Sequence, residues 1–184
     1  MVCTMENPSV SQVSCVIEQQ TQVAKKQTIL NVTWEGYDEI VNRLARVIRD
    51  SDWEFDHIVC IARGGMLAGL LLSHHFDKLL GVIAANSYEG ENEMQQGRLS
   101  ISIRIAMTAS KLAKRILLVD DLVDTGTTLR EVKRSIEENY PEVEEVRTAV
   151  LWTKTCSTFT PNYAVDNVDA NTWIYQPFEK PLII

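Results

Sequence analysis

The sequence predicts an α/β domain: a central, mostly parallel sheet flanked by helices, with a small C-terminal hood. Three observations carry that expectation. The runs Ile58-Val59-Cys60-Ile61 and Ile116-Leu117-Leu118-Val119 are short and wholly apolar, the pattern of strands buried on both faces of a parallel sheet. Such runs alternate along the chain with segments of helical spacing. Polar or glycine-containing loops follow them at 62–65, 87–97 and 120–128, so the three loops share the carboxyl rim of the sheet, where ligands sit in this architecture.

The chain has 184 residues, 45% of them apolar, with 8 Gly and 5 Pro, which is enough for one domain with a substantial core. Residues 1–28 are rich in Ser, Thr, Gln and Val without a sustained period. They are expected to form a flexible extension, with at most a weak strand at 13–17, ahead of a single domain at 29–184. A net charge of −7 disfavours broad binding to nucleic acid or anionic membranes, so any bound anion has to be held locally. Cys3, Cys15, Cys60 and Cys156 form no CxxC pair, which suggests reduced thiols. No export signal or membrane-spanning run is visible, and a cytoplasmic location is expected.

From Thr33, the residues Tyr37, Ile40, Val41, Leu44, Ala45, Val47 and Ile48 fall on one helical face. A strand at 57–61, a tight loop Ala62-Arg63-Gly64-Gly65 and a helix over Met66–Phe76 follow. Leu80–Ala85 is the next strand, and a polar loop from Ser87 to Gly97 leads to a period-two strand at 99–105. After the run at 116–119, Leu129, Val132, Ile136 and Tyr140 mark a helix, and Val146–Trp152 marks another strand.

The densest chemistry lies at Asp120-Asp121-Leu122-Val123-Asp124-Thr125-Gly126-Thr127-Thr128. Aspartates beside glycine commonly cap helices or sit in solvated turns. Three carboxylates, three threonines and a glycine within nine residues, directly after a buried strand, point instead to an anion loop. Free amides and a helix N-terminus favour phosphate there. Neither GxxxxGK[ST] nor GxGxxG after a strand is present, which excludes the P-loop and dinucleotide readings.

The run Ile116–Leu129 resembles the ribose-phosphate motif of the type I phosphoribosyltransferases, and the resemblance extends over about Val32 to Glu179. It implies that Asp124, Thr125, Gly126, Thr127 and Thr128 hold the 5-phosphate of phosphoribosyl pyrophosphate. Asp120 and Asp121 would face the ribose hydroxyls, help hold Mg²⁺, in part through water, and stabilise positive charge at the anomeric carbon. Asp124 would lie near the purine N7 as general acid or base. Ala62-Arg63-Gly64-Gly65 resembles the pyrophosphate loop, which implies a non-proline cis peptide at Ala62-Arg63. The segment beginning at Ser87-Tyr88 and ending near Arg98 resembles the flexible lid, which would exclude water from the reacting centre.

The carboxyl-terminal part, about 153–184, resembles the base-binding hood of the purine branch and most closely that of bacterial xanthine-guanine enzymes. Lys154 stands where a lysine donates to the 6-oxygen, and Trp173-Ile174 where an aromatic residue stacks on the base and backbone groups meet its edge. Relatives often carry Lys-Pro where this chain has Lys154-Thr155. The implied reaction is Mg²⁺-dependent phosphoribosyl transfer to N9 of guanine, hypoxanthine or xanthine in purine salvage, by a homodimer or homotetramer with no nucleic-acid partner and no membrane partner. Two rivals are a regulator on the same fold that senses phosphoribosyl pyrophosphate or nucleotides, and a pyrimidine phosphoribosyltransferase. An intact acidic motif opposes the first, and Lys154 with Trp173 opposes the second.

Overall fold

The structure, a computed structural model, describes residues 27–88, 98–102 and 104–179. The first 26 residues, and with them the weak strand at 13–17, lie outside the described residues, as does 89–97, the body of the expected lid. The described chain runs β1 (Thr28–Asn31), α1 (Trp34–Arg49), β2 (His57–Ala62), α2 (Gly65–Phe76), β3 (Leu79–Tyr88), β4 (Arg98–Ile101), β5 (Ala106–Met107), β6 (Arg115–Val123), α3 (Thr127–Asn139), β7 (Glu145–Lys154), β8 (Tyr163–Val168) and β9 (Thr172–Tyr175).

The main sheet has the order β4-β3-β2-β6-β7-β8, with β5 paired to β3. Its β3, β2, β6, β7 and β8 are parallel, and β4 and β5 run antiparallel to β3. The central sheet is therefore mostly parallel, as the apolar runs predict. In β2 and β6 the central runs at 58–61 and 116–120 are buried on both faces. Ile58, Cys60, Leu117 and Val119 pack with Leu44, Ile48 and Leu72 of α1 and α2. On the other face Val59, Ile61, Ile116 and Leu118 pack with Leu129, Val132 and Ile136 of α3. Layers on both faces explain why these strands read as unbroken apolar runs.

Helix α1 starts where Thr33 caps it, the hydroxyl accepting from the Gly36 N–H at 3.1 Å, with Glu35 in the first turn and Arg46 and Arg49 in the last. Its buried stripe is Tyr37, Ile40, Val41, Leu44, Ala45 and Ile48. Val47, expected on that stripe, is exposed because it lies about 90° around the helix from the centre of the stripe. The expected strand at 99–105 stops at Ile101, the end of β4, and strand pairing resumes only in β5, beyond the expected span. Ser102 Oγ donates to the Arg104 carbonyl at 2.9 Å and accepts from its N–H at 3.3 Å, and this local turn competes with the ladder.

A separate two-stranded sheet pairs β1 with β9 in parallel, Ile29 opposite Trp173 and Leu30 opposite Ile174. The C-terminal hood strand thus takes its partner from the beginning of the domain. Among the described residues no helix is long and apolar enough to cross a membrane.

Candidate active site

The connection from β2 to β3 moves one way across the sheet, and the connection from β6 to β7 moves the other. The crevice between the carboxyl ends of β2 and β6 is therefore the switch point, where a ligand finds two loops and two helix N-termini. Both helices that start there, α2 and α3, have no side-chain cap and no acid in their first turn, unlike α1. No acid of its own first turn competes for the leading amides of α3, the arrangement that attracts anions, while the Gly65 N–H at the start of α2 is hydrogen-bonded to the Asp120 carboxyl.

Along the β2 side, the Ala62-Arg63 peptide is cis, as the resemblance implies. Arg63 is exposed and makes no ion pair with a described residue. The following loop lies hard against the end of β6. A Cβ on Gly64 would stand 2.3 Å from Asp121 Oδ1, and one on Gly65 would stand 2.6 Å from the Val119 carbonyl and 2.8 Å from Asp120 Cα. Two glycines therefore bring the loop and the acidic motif into contact.

On the β6 side, Asp120 is 8% exposed and its Oδ1 accepts from the Asp121 N–H at 3.0 Å. Burial, reinforced by the charge of Asp121, pushes the Asp120 carboxyl well above the usual carboxylate range. Asp121 is half-buried, and its Oδ2 accepts from Gln176 Nε2 of the hood. Beneath it, Tyr37 is buried, and its phenol is pushed upward by burial and by Asp121.

Past the motif, Gly126 adopts φ 88°, and a Cβ there would meet Phe159 Cβ at 2.3 Å. Thr125 Oγ1 donates to Thr127 Oγ1 at 3.2 Å, and the Thr125 carbonyl accepts from both the N–H and the hydroxyl of Thr158, each at 3.1 Å. Arg130 in turn donates to the Thr158 carbonyl at 3.1 Å. The 125–128 turn surrounds a hollow of about 90 Å³ lined by Asp120, Asp124, Thr125, Gly126 and Thr128.

Beside that hollow, a larger cleft of about 250 Å³ is lined by Asp121, Asp124, Trp152, Lys154, Trp173, Ile174 and Gln176, among others. The structure thus brings the sequence-selected Lys154, Trp173 and Ile174 to the same cleft as the acidic motif. Lys154 Nζ donates to Asp124 Oδ2 at 2.8 Å, and the exposed Cys156 thiol approaches Asp124 Oδ1 at 3.5 Å. Ile174 is buried, whereas Trp173 is 52% exposed and stands edge-on to Tyr175. The backbones of Ser87 and Tyr88 end β3, opposite Leu99 and Arg98 of β4.

Sequence reasoning missed Gln176, Trp152 and the Ser157–Phe159 buttress. Gln176 carried a signal, an uncharged amide inside the run Trp173-Ile174-Tyr175-Gln176-Pro177, but its partner lies 55 residues away.

A mostly parallel α/β sheet with two helix N-termini, a double-glycine loop and an acidic motif at its switch point has the form of a ligand site open to anionic groups. The profile of the phosphoribosyl transferase domain matches residues 33–182, and the chain belongs to that family. Among solved structures it is similar to the purine phosphoribosyltransferase of Pyrococcus horikoshii OT3, with 30% identity, TM-score 0.69, and 85% of this chain and 97% of that one covered. The fold also matches the Helicobacter pylori xanthine-guanine-hypoxanthine phosphoribosyltransferase, with 24% identity, TM-score 0.67, and 79% and 92% covered. A Neisseria gonorrhoeae hypothetical protein with bound ppGpp shares the fold, with 18% identity, TM-score 0.70, and 85% and 92% covered.

Proposed function

We propose that the protein transfers the phosphoribosyl group of phosphoribosyl pyrophosphate to N9 of a 6-oxopurine, releasing pyrophosphate and a nucleoside monophosphate. The observation that carries the reading is the shared cleft, in which an aromatic face, an ammonium and the acidic motif surround the space for one planar base joined to a ribosyl group. The purine specificity of the Pyrococcus horikoshii relative agrees with it.

In this reading the 5-phosphate occupies the hollow at 125–128, held by backbone amides, threonine hydroxyls and the α3 N-terminus. Pyrophosphate lies on the loop at Ala62, Arg63, Gly64 and Gly65, where Arg63 offers a permanent charge and a fork of donors. Bond breaking leaves the electron pair on pyrophosphate, and the anomeric carbon becomes positive before N9 supplies its pair. Asp121 places negative charge at that centre, with the buried Asp120 carboxyl beside it. Their adjacent carboxylates, with no third metal-ligating His, Cys, Asp or Glu grouped with them among the described residues, fit a cation that takes most of its ligands from phosphates and water. Mg²⁺ held there would neutralise the departing pyrophosphate.

Lys154 supplies the selectivity. Its ammonium is bonded to Asp124, so an incoming base has to offer Lys154 an acceptor to replace that carboxylate. A 6-oxo group does so and a 6-amino group, which is a donor, does not. The exchange also frees Asp124 to face N7 as acid or base. The assembly is a homodimer or homotetramer in the cytoplasm, and the lid from Ser87-Tyr88 to Arg98 keeps water from the reacting centre.

Pyrophosphate release with guanine, hypoxanthine, xanthine, adenine and uracil tests the reading. Turnover with at least one 6-oxopurine, well above that with adenine or uracil, is expected. Binding of phosphoribosyl pyrophosphate with no turnover on any base would favour a sensor instead.

A further inference from the structure

We propose that Gln176 is a positioning residue for the acidic motif, its side-chain amide holding the Asp121 carboxylate in the orientation presented to the ribosyl group. The inference rests on the transfer reaction proposed above and adds to it a link between hood and floor. Gln176 leaves the hood immediately after β9. Its N–H donates to Glu179 Oε2 at 3.1 Å, and its carbonyl accepts from the Glu179 N–H at 3.0 Å, so its backbone is fixed on both sides. From there the side chain, 3% exposed, crosses to the floor and donates from Nε2 to Asp121 Oδ2.

Packing does not account for this amide. Its Oε1 is buried and accepts from no described residue. An unsatisfied buried carbonyl is costly, and an apolar side chain of equal length would remove that cost. What the amide supplies is a donor to a carboxylate, which is among the stronger hydrogen bonds, without bringing a positive charge. Lys154, the cation lining the same cleft, pairs with Asp124 instead. Asp121 is thus oriented by a neutral group and keeps its negative charge for the ribosyl centre. Because the donor comes from the hood, filling the base site and presenting Asp121 become parts of one arrangement.

The test is Gln176→Met in the full-length protein, with steady-state kinetics in each substrate and a thermal melt. The expected result is a split. A roughly ten- to hundredfold fall in kcat/KM for phosphoribosyl pyrophosphate follows from losing a hydrogen bond to a charged group. KM for the base should stay within about twofold, and the melting temperature should be unchanged or higher, since the orphaned carbonyl is gone. Gln176→Asn, one methylene short of Asp121, should show the same kinetic split and serves if the Met variant does not fold. An active wild type whose variants keep their kinetics overturns the assignment of Gln176 alone. A rise in KM for the base as large as the fall in kcat/KM for phosphoribosyl pyrophosphate, with a lowered melting temperature, also overturns it, since that is what a structural role gives. A wild type that neither turns over nor binds phosphoribosyl pyrophosphate overturns this inference together with the proposed reaction.

Discussion

The floor and the hood of the cleft are built to opposite standards. The floor is the end of β6 and the loops pressed against it, where Val119 is fully buried, Asp120 nearly so, and a single methyl group on Gly64 or Gly65 would overlap its neighbours. The hood rests on a two-stranded sheet whose large side chains Ile29, Trp173 and Tyr175 are 57%, 52% and 42% exposed. In the proposed reaction, the atoms that must be placed for chemistry are held by the core, while the face that would choose the base is carried on a lightly covered element. The difference implies that floor substitutions should cost turnover or stability, and substitutions on the exposed face of the hood should change base affinity.

The sharpest way to break that comparison is Asp124→Asn, because Asp124 stands on the floor yet is tied to the hood lysine. If Asp124 is the acid-base group, kcat should fall about 10²- to 10⁴-fold, the usual worth of such a group. Binding of phosphoribosyl pyrophosphate, measured by calorimetry, should change by no more than a few-fold. An unchanged kcat would remove the acid-base role and leave Asp124 as a partner that restrains Lys154.

Gly65→Ala probes the floor without removing a charged group. Its new methyl would meet the Val119 carbonyl and the Asp120 backbone, neither of which can rotate away as a side chain tip would. Overpacking of this kind costs about 1–3 kcal/mol, which chemical denaturation should show, with activity falling as the acidic motif shifts. A variant as stable and as active as the wild type would mean that the floor yields easily, and the contrast with the hood would disappear.

How much of this was legible in the sequence follows the same division. The floor is local: strand, carboxylates, glycine and helix start lie within Ile116–Leu129, so one stretch of chain states both the fold and the chemistry. Arg63 and its glycines are equally local, and Lys154, Trp173 and Ile174 were found through the resemblance. Contacts made across long separations were not legible. Thr28–Asn31 is four residues without a period, and only pairing with Thr172–Tyr175 makes it a strand. Thr158 supports Thr125 from 33 residues away, and Gln176 reaches Asp121 from 55, through a side chain whose type does not reveal its partner. The expected strand at 99–105 stopped short for a different reason: alternation predicted pairing, while Ser102 offered the backbone a competing turn.

Trp173→Leu sharpens the comparison from the hood side and should have the smallest effect on the fold. Half of Trp173 is exposed, and its described aromatic neighbour is Tyr175, at 6.2 Å between centroids on the same strand. Little core packing is lost, so the unfolding free energy should move by no more than about 0.5 kcal/mol, as for surface substitutions generally. In the proposed reading the base loses a stacking face worth about 1–3 kcal/mol. At the lower end of that range KM for the purine rises about fivefold, with kcat and KM for phosphoribosyl pyrophosphate within about twofold. The melting curve decides the structural half of the contrast: a shift as large as that of Gly65→Ala would show that the hood, for all its exposure, is held as tightly as the floor.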